Sequence, residues 1–118
     1  MAGDTTPPPT FEDVSAAREF IRPHLPVTPL IRSEGLSHLL GCEYYVKCEN
    51  TQPVGAFKVR GGVNLVGRLP VEERRAGVIS ASTGNHGQSI AYAGRLFDVP
   101  VVIYAPSQRL NEHKLEAM

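Results

Sequence analysis

Residues 78–104 read VISASTGNHGQSIAYAGRLFDVPVVIY. Two short apolar runs, 78–81 and 101–104, are typical of buried strands, and the segment 85–97 between them has helical spacing. The order strand, helix, strand predicts a βαβ unit, in which the helix returns the chain so that the two strands run parallel and the crossover is right-handed. We therefore predict an α/β protein with a three-layer open parallel sheet and helices on both faces, of which this chain holds the front portion.

A polar loop stands between the first strand and the helix, with the sequence Ser82-Thr83-Gly84-Asn85-His86. In open α/β sheets, ligands bind at the carboxyl ends of the strands. Backbone N–H groups at the helix start, together with hydroxyl and amide side chains, are donors suited to a small anion such as a carboxylate. The loop matches neither GxxxxGK[ST] nor GxGxxG. A helix cap with a structural histidine is the alternative interpretation.

Upstream, residues 52–62 read QPVGAFKVRGG and place Lys58 in the first turn of a predicted helix that starts at Ala56. A lysine amine is almost fully protonated at neutral pH, and only the neutral amine attacks a carbonyl. A catalytic role therefore predicts that Lys58 is desolvated beside Phe57. The Gly61-Gly62 pair would permit close approach of another backbone. A lysine on an exposed helix surface is the alternative.

The first half of the chain predicts two helices and a strand. Thr10 can cap a helix from Phe11 that Pro23 stops. Residues 28–30 are expected to form an extended connector. Ser33 opens a second short helix that Gly41 ends, and residues 43–48 have the composition of a strand.

The two ends of the chain predict different structures. Residues 1–10, which include Pro7-Pro8-Pro9, predict a disordered proline-rich tail. Residues 110–118 predict a helix, after which an alternating α/β fold requires another strand. We therefore expect residues 11–118 to be the truncated N-terminal portion of a longer domain, with a complete small domain as the alternative.

Composition excludes several classes of function. The chain has 12 basic and 12 acidic residues and is 42% hydrophobic. The absence of a basic surplus argues against nucleic-acid binding. The first ten residues resemble neither a signal peptide nor a membrane anchor, so we expect a cytoplasmic protein without membrane contact. Cys42 and Cys48 do not form a CxxC pair, so neither a disulfide nor a metal site is predicted.

Two motifs together resemble one family, the fold-type II pyridoxal 5'-phosphate (PLP) enzymes. Residues 47–53 running into 55–61 (KCENTQP and GAFKVRG) are similar to the Schiff-base lysine motif of the serine/threonine dehydratases. Residues 83–88 (TGNHGQ) are similar to the asparagine loop of these ammonia-lyases. The resemblance runs from about Thr28 to the end of the chain, and it implies a fold like that of the tryptophan synthase β subunit.

The resemblance also implies roles for single residues. Lys58 would hold PLP covalently and act as acid and base during turnover. Phe57 would pack near the cofactor, and Asn85 would hydrogen-bond its phenolic oxygen. The substrate carboxylate would be bound by Ser82, Thr83, Gly84 and His86.

The implied reaction converts a serine- or threonine-like hydroxy amino acid into a 2-oxo acid and ammonia. Phe57, the Arg60-Gly61 pair and His86 favour this dehydratase branch over β-replacement enzymes similar to cysteine synthase. Serine racemases are also similar, although they place a serine base where this chain has Thr83. Dimers are common among such enzymes, so a homodimer is a further expectation. The sequence leaves open which hydroxy amino acid is used.

In this family, the glycine-rich phosphate loop and the residue that contacts the pyridine nitrogen lie further along the sequence. We therefore expect the complete polypeptide to be active, and residues 1–118 alone to bind PLP poorly. Two alternatives from other classes are a non-catalytic α/β module that binds a carboxylate or phosphate through residues 82–85, and a structural or interaction fragment. Neither alternative explains why both motifs occur together.

Overall fold

The structure is a computed structural model that describes residues 7–106. Its helices within this range are α1 (Phe11–Ile21), α2 (Glu34–Leu40), a 3-10 turn (Glu49–Thr51), α3 (Lys58–Gly67), α4 (Val71–Ala76) and α5 (Asn85–Phe97). Its strands are β1 (Leu30–Arg32), β2 (Tyr45–Lys47), β3 (Val78–Ala81) and β4 (Val101–Tyr104). The predicted helix at 110–118 and most of the predicted tail at 1–10 lie outside the described residues.

Strands β3 and β4 pair in parallel, in register from Val78 with Val101 to Ala81 with Tyr104. The bounds predicted for the βαβ unit are confirmed at both strands and at α5. Alternate side chains of a strand point to opposite faces. Val101 packs on the core, whereas Ile79 and Tyr104 are 73% and 63% exposed. The buried character expected of these strands therefore holds for one face only within the described residues.

Strands β1 and β2 form a separate antiparallel pair, in which Leu30 lies opposite Lys47. The strand predicted at 43–48 is confirmed as β2, but the segment predicted as a connector leads directly into β1. Three residues directly after Pro29 are too few to show the alternation that marks a strand. All six residues of the pair are exposed.

The core lies mainly between α3 and α5, which pack closely. Its buried side chains are Ile21, Leu25, Val59, Val63, Val66, Ile90, Ala93 and Val99. A Cβ atom at Gly62 would lie 2.4 Å from Ser89 Oγ and 2.5 Å from Ser89 O. The close approach expected at the glycine pair is thus confirmed at Gly62, whereas a Cβ at Gly61 would have no neighbour within 4 Å.

The predicted helix caps are confirmed. The Thr10 hydroxyl accepts a hydrogen bond from Asp13 N (3.2 Å), and Asp13 Oδ2 accepts one in return from Thr10 N (2.8 Å). This return bond lowers the pKa of the Asp13 carboxyl. Ser33 caps α2, and Gly41 ends it with φ of 66°. No helix between residues 7 and 106 has both the length and the apolar character needed to cross a bilayer.

Candidate active site

The loop that precedes α5 is shaped by Ser82. Its hydroxyl accepts hydrogen bonds from the N–H groups of Gly84 (3.2 Å) and Gly87 (2.9 Å). Its own N–H donates to Tyr104 O at 2.9 Å, which extends the pairing of the parallel strands. Since Gly84 has no side chain that could cap the helix, Ser82 supplies the cap from two residues upstream. The hydroxyl expected to face a ligand therefore already satisfies two backbone donors.

Other donors of this loop are available to a ligand. Among the described residues, no hydrogen-bond acceptor faces the backbone N–H groups of Thr83, Asn85 or His86. All three residues are exposed. The first turn of a helix carries a partial positive charge, which favours an anion there. The geometry thus suits a small anionic group at the start of α5.

Lys58 lies in the first turn of α3, as predicted, although the helix begins at Lys58 and not at Ala56. Lys58 is not buried but exposed, and Phe57 is 62% exposed. The cause is helical periodicity: Val59, Val63 and Val66 share the face of α3 that packs on the core, and Lys58 lies about 100° from Val59. The expected desolvation of Lys58 is therefore wrong for the described part of the chain, and its amine is accessible from solvent.

The two predicted motifs meet through the backbone. The hydroxyl of Ser89 in α5 donates to the carbonyl oxygen of Lys58 at 2.9 Å, and Ser89 is fully buried. Asn85 precedes Ser89 by about one helical turn on the same face. The start of α5, with its asparagine loop, therefore lies beside the start of α3, which carries Lys58.

A second cluster, which we call the clamp, consists of Thr28, Glu49 and Arg60. Arg60 Nε donates to Glu49 Oε2 and Arg60 Nη2 donates to Glu49 Oε1, both at 2.7 Å. Thr28 Oγ1 donates to Glu49 Oε1 at 2.6 Å. Arg60 lowers the pKa of Glu49 to about 2, chiefly through these hydrogen bonds, and Glu49 raises the pKa of Arg60.

Sequence reasoning assigned no role to the clamp, although two of its residues lie within the quoted lysine motif. The only signal in the sequence is one acidic and one basic residue on either side of the 52–57 loop. Since neither spacing nor periodicity pairs residues across a loop, the contact was not predictable.

A cavity of about 430 Å³ opens beside the clamp rather than beside Lys58. Its lining residues are Arg18, Ile21, Arg22, Leu25, Pro26, Val27, Lys47, Glu49 and Arg60. None of the predicted site residues lines it, so we locate the candidate site from the two motifs and not from this cavity. Within residues 7–106, no group of three or more His, Cys, Asp or Glu side chains could hold a metal ion.

Comparison with known proteins identifies the family. A family model described as pyridoxal-phosphate dependent enzyme matches residues 21–118. The chain belongs to this family. The PLP cofactor expected from the two motifs is thereby confirmed for this family.

Relatives that are similar to this chain include ammonia-lyases and a racemase. It is 45% identical over 98 residues to L-threo-3-hydroxyaspartate ammonia-lyase of Saccharomyces cerevisiae, covering 83% of this chain and 30% of the relative. It is 39% identical over 107 residues to L-threonine ammonia-lyase of Thermotoga maritima, covering 87% and 27%. The solved structure of serine racemase from Dictyostelium discoideum matches with a TM-score of 0.86 at 36% identity, covering 92% and 35%.

These likenesses confirm the predicted α/β fold of the fold-type II enzymes. The chain spans about 30% of the length of the curated relatives that it matches.

The residues present fit PLP chemistry. Lys58 supplies an amine that can bond to a carbonyl-bearing cofactor, and Lys58, Phe57 and Asn85 are all exposed and can therefore be reached by it. The N–H groups of the loop before α5 suit a carboxylate beside it.

Proposed function

We propose that this protein is a PLP-dependent ammonia-lyase that converts serine- or threonine-like hydroxy amino acids into 2-oxo acids and ammonia. The observation that carries the proposal is the hydrogen bond from Ser89 to the carbonyl of Lys58. This bond holds the start of α3, with Lys58, beside the start of α5, with Asn85. The likeness to two ammonia-lyases supports the same reaction.

Each site residue would contribute one step of the chemistry. When bound, PLP supplies a conjugated ring that accepts electrons from carbon. Lys58 would hold the cofactor through its Nζ atom and, when freed by the substrate, take the proton from the substrate α-carbon. Phe57 would pack near the ring, and the amide of Asn85 would donate to its phenolic oxygen.

The loop before α5 would orient the substrate. Thr83 and His86, together with the backbone of Gly84, would bind the substrate carboxylate. Ser82 would join them while it caps the helix. With the α-proton removed, the β-hydroxyl would leave as water by taking that proton back from Lys58, and hydrolysis of the released enamine would yield the 2-oxo acid and ammonia.

The test uses the protein at its natural length. After incubation with PLP and reduction by borohydride, peptide mapping is expected to find the cofactor on Lys58. Ammonia and 2-oxo acid are then measured with L-threonine, L-serine and L-threo-3-hydroxyaspartate. We expect Lys58→Gln to abolish turnover. Ligand binding at residues 82–86 without any label on Lys58 would instead support the non-catalytic binding module.

Serine racemase activity is the second candidate, and the likeness to the racemase structure favours it. Thr83 argues against it, because the resemblance places a serine base at this position in racemases. Chiral chromatography of the products from L-serine separates the two reactions. Accumulation of D-serine faster than pyruvate would replace the ammonia-lyase assignment by racemase.

Four further expectations from the sequence stay predictions: the homodimer, the cytoplasmic location, the tail at 1–10 and the domain at 11–118. Light scattering of the purified protein at its natural length measures the first of these directly.

A further inference from the structure

We propose that the clamp is a positioning device: Glu49, Arg60 and Thr28 fix the loop that presents Lys58. The inference rests on the proposed role of Lys58. The three clamp side chains bond to one another, and the backbone N–H of Arg60 donates to Phe57 O at 3.1 Å.

The ion pair joins the two ends of residues 50–57, which we call the lysine loop. Glu49 lies in the 3-10 turn before the loop, and Arg60 lies in the first turn of α3 after it. Two parallel bonds of 2.7 Å between a guanidinium and a carboxylate fix orientation as well as distance. Two residues of a helix that are two positions apart point about 200° from each other. The pair therefore anchors the side of α3 opposite to Lys58.

Hydrogen bonds within the loop, and hydrogen bonds to the segment that precedes β1, also fix its conformation. Thr28 ties Glu49 to the segment that leads into β1. The Gln52 side chain is buried, and its Nε2 donates to Pro26 O at 3.4 Å. Gly55 N donates to Gln52 O at 2.7 Å, and its φ of 64° is a conformation that favours glycine. The clamp thus completes a loop that is fixed internally and at both ends.

A purely stabilising role would not explain where the pair lies. Helix α3 is already packed on the core by Val59, Val63 and Val66, each with no exposed surface. These contacts fix the axis of the helix. Within residues 50–57, Val54 packs against the core and Ala56 is buried, and the clamp contacts both sides of this stretch. Its removal is therefore expected to loosen the loop more than the helix.

The test compares two clamp variants with two matched controls in the protein at its natural length. Glu49→Gln keeps the side-chain size but removes the charge. Arg60→Lys keeps the charge but removes the bidentate hydrogen bonding to the carboxylate. Glu72→Gln and Arg75→Lys make the same changes in an exposed pair whose atoms are 3.8 Å apart. The readouts are amide hydrogen exchange of residues 50–58 and the rate at which PLP is captured by Lys58, after reduction and peptide mapping.

We expect the clamp variants to show about tenfold faster exchange in residues 50–58 and about tenfold slower capture at Lys58, with the controls unchanged. Exchange in residues 85–97 should stay at wild-type values. Unchanged exchange and capture in both clamp variants would overturn the inference. Equal acceleration in 50–58 and 85–97 would overturn it too, because the pair would then support the whole fold. If the wild type captures no PLP at Lys58, the proposed function fails, and loop exchange still decides whether the clamp holds the loop.

Discussion

Helix α3, which begins with Lys58, is held against the rest of the protein by two different kinds of contact. On one side is the interface of α3 with α5, where Val63 and Ile90 are almost completely buried and Gly62 touches the backbone of Ser89. On the other side is the clamp, where Glu49 and Arg60 keep 19% and 33% of their side chains exposed.

The α3–α5 interface and the clamp should differ in how they tolerate changes in packing and in pH. Apolar contacts do not titrate, but a close-packed interface resists any added or removed atom. The clamp has room around it, but it depends on a charge that acid removes. Changes in side-chain size should therefore weaken the α3–α5 interface more than the clamp, whereas acid should weaken the clamp more than the interface.

The largest effect is expected from Ile90→Ala, which empties part of the α3–α5 interface. Ile90 is 1% exposed, so the loss should be about 3–4 kcal/mol in the free energy of unfolding. Ile31→Ala in β1 is the control, because Ile31 is 53% exposed and should lose less than about 1 kcal/mol. Urea denaturation measures both. Similar losses at the two positions would contradict the division between a packed and an exposed region.

Gly62→Ala should rank second. The new Cβ would lie within 2.5 Å of the Ser89 carbonyl oxygen, so the helices must shift, at about 2–3 kcal/mol. Gly61→Ala adds the same atom where nothing lies within 4 Å, and it should stabilise the helix by about 0.5–1 kcal/mol. Thermal and urea unfolding of the pair should give opposite signs. Equal signs would show that the close approach does not limit this interface.

The smallest effect, about 2 kcal/mol, is expected from titration of the clamp. The pKa of Glu49 is lowered from 4.5 to about 2, so its contribution is complete above pH 4.5 and is lost as pH falls towards 2. Glu49→Gln should therefore be less stable than the wild type near neutral pH, and the gap should close in acid. Other carboxyl groups titrate in both proteins and cancel in the difference. A gap that stays constant with pH would argue against the ion pair.

Local patterns predicted the βαβ unit with correct bounds. Apolar runs at 78–81 and 101–104 and the spacing within 85–97 are properties of neighbouring residues, so they can be read from sequence. The Thr10 and Ser33 caps are local for the same reason. Strand β1 was missed because its three residues acquire their structure from pairing with β2.

The candidate site was predictable only in part. The motifs located Lys58 and Asn85, and the structure brings the starts of their helices together. The exposure of Lys58 depends on which face of α3 packs on the core, and the residues that flank Lys58 in the sequence do not determine that face. The double use of the Ser82 hydroxyl and the clamp both depend on where backbone donors and distant side chains come to lie.

The two contacts differ in the sequence separation of the residues that they join, and this difference has a consequence for folding. Glu49 and Arg60 are 11 residues apart, whereas Ser89 and the Lys58 carbonyl that it contacts are 31 apart. Loop-closure entropy grows with the logarithm of loop length, so joining the first pair costs about 1 kcal/mol less than joining the second. The lysine loop is therefore a small ring that the chain can close at low entropic cost before the two helices dock.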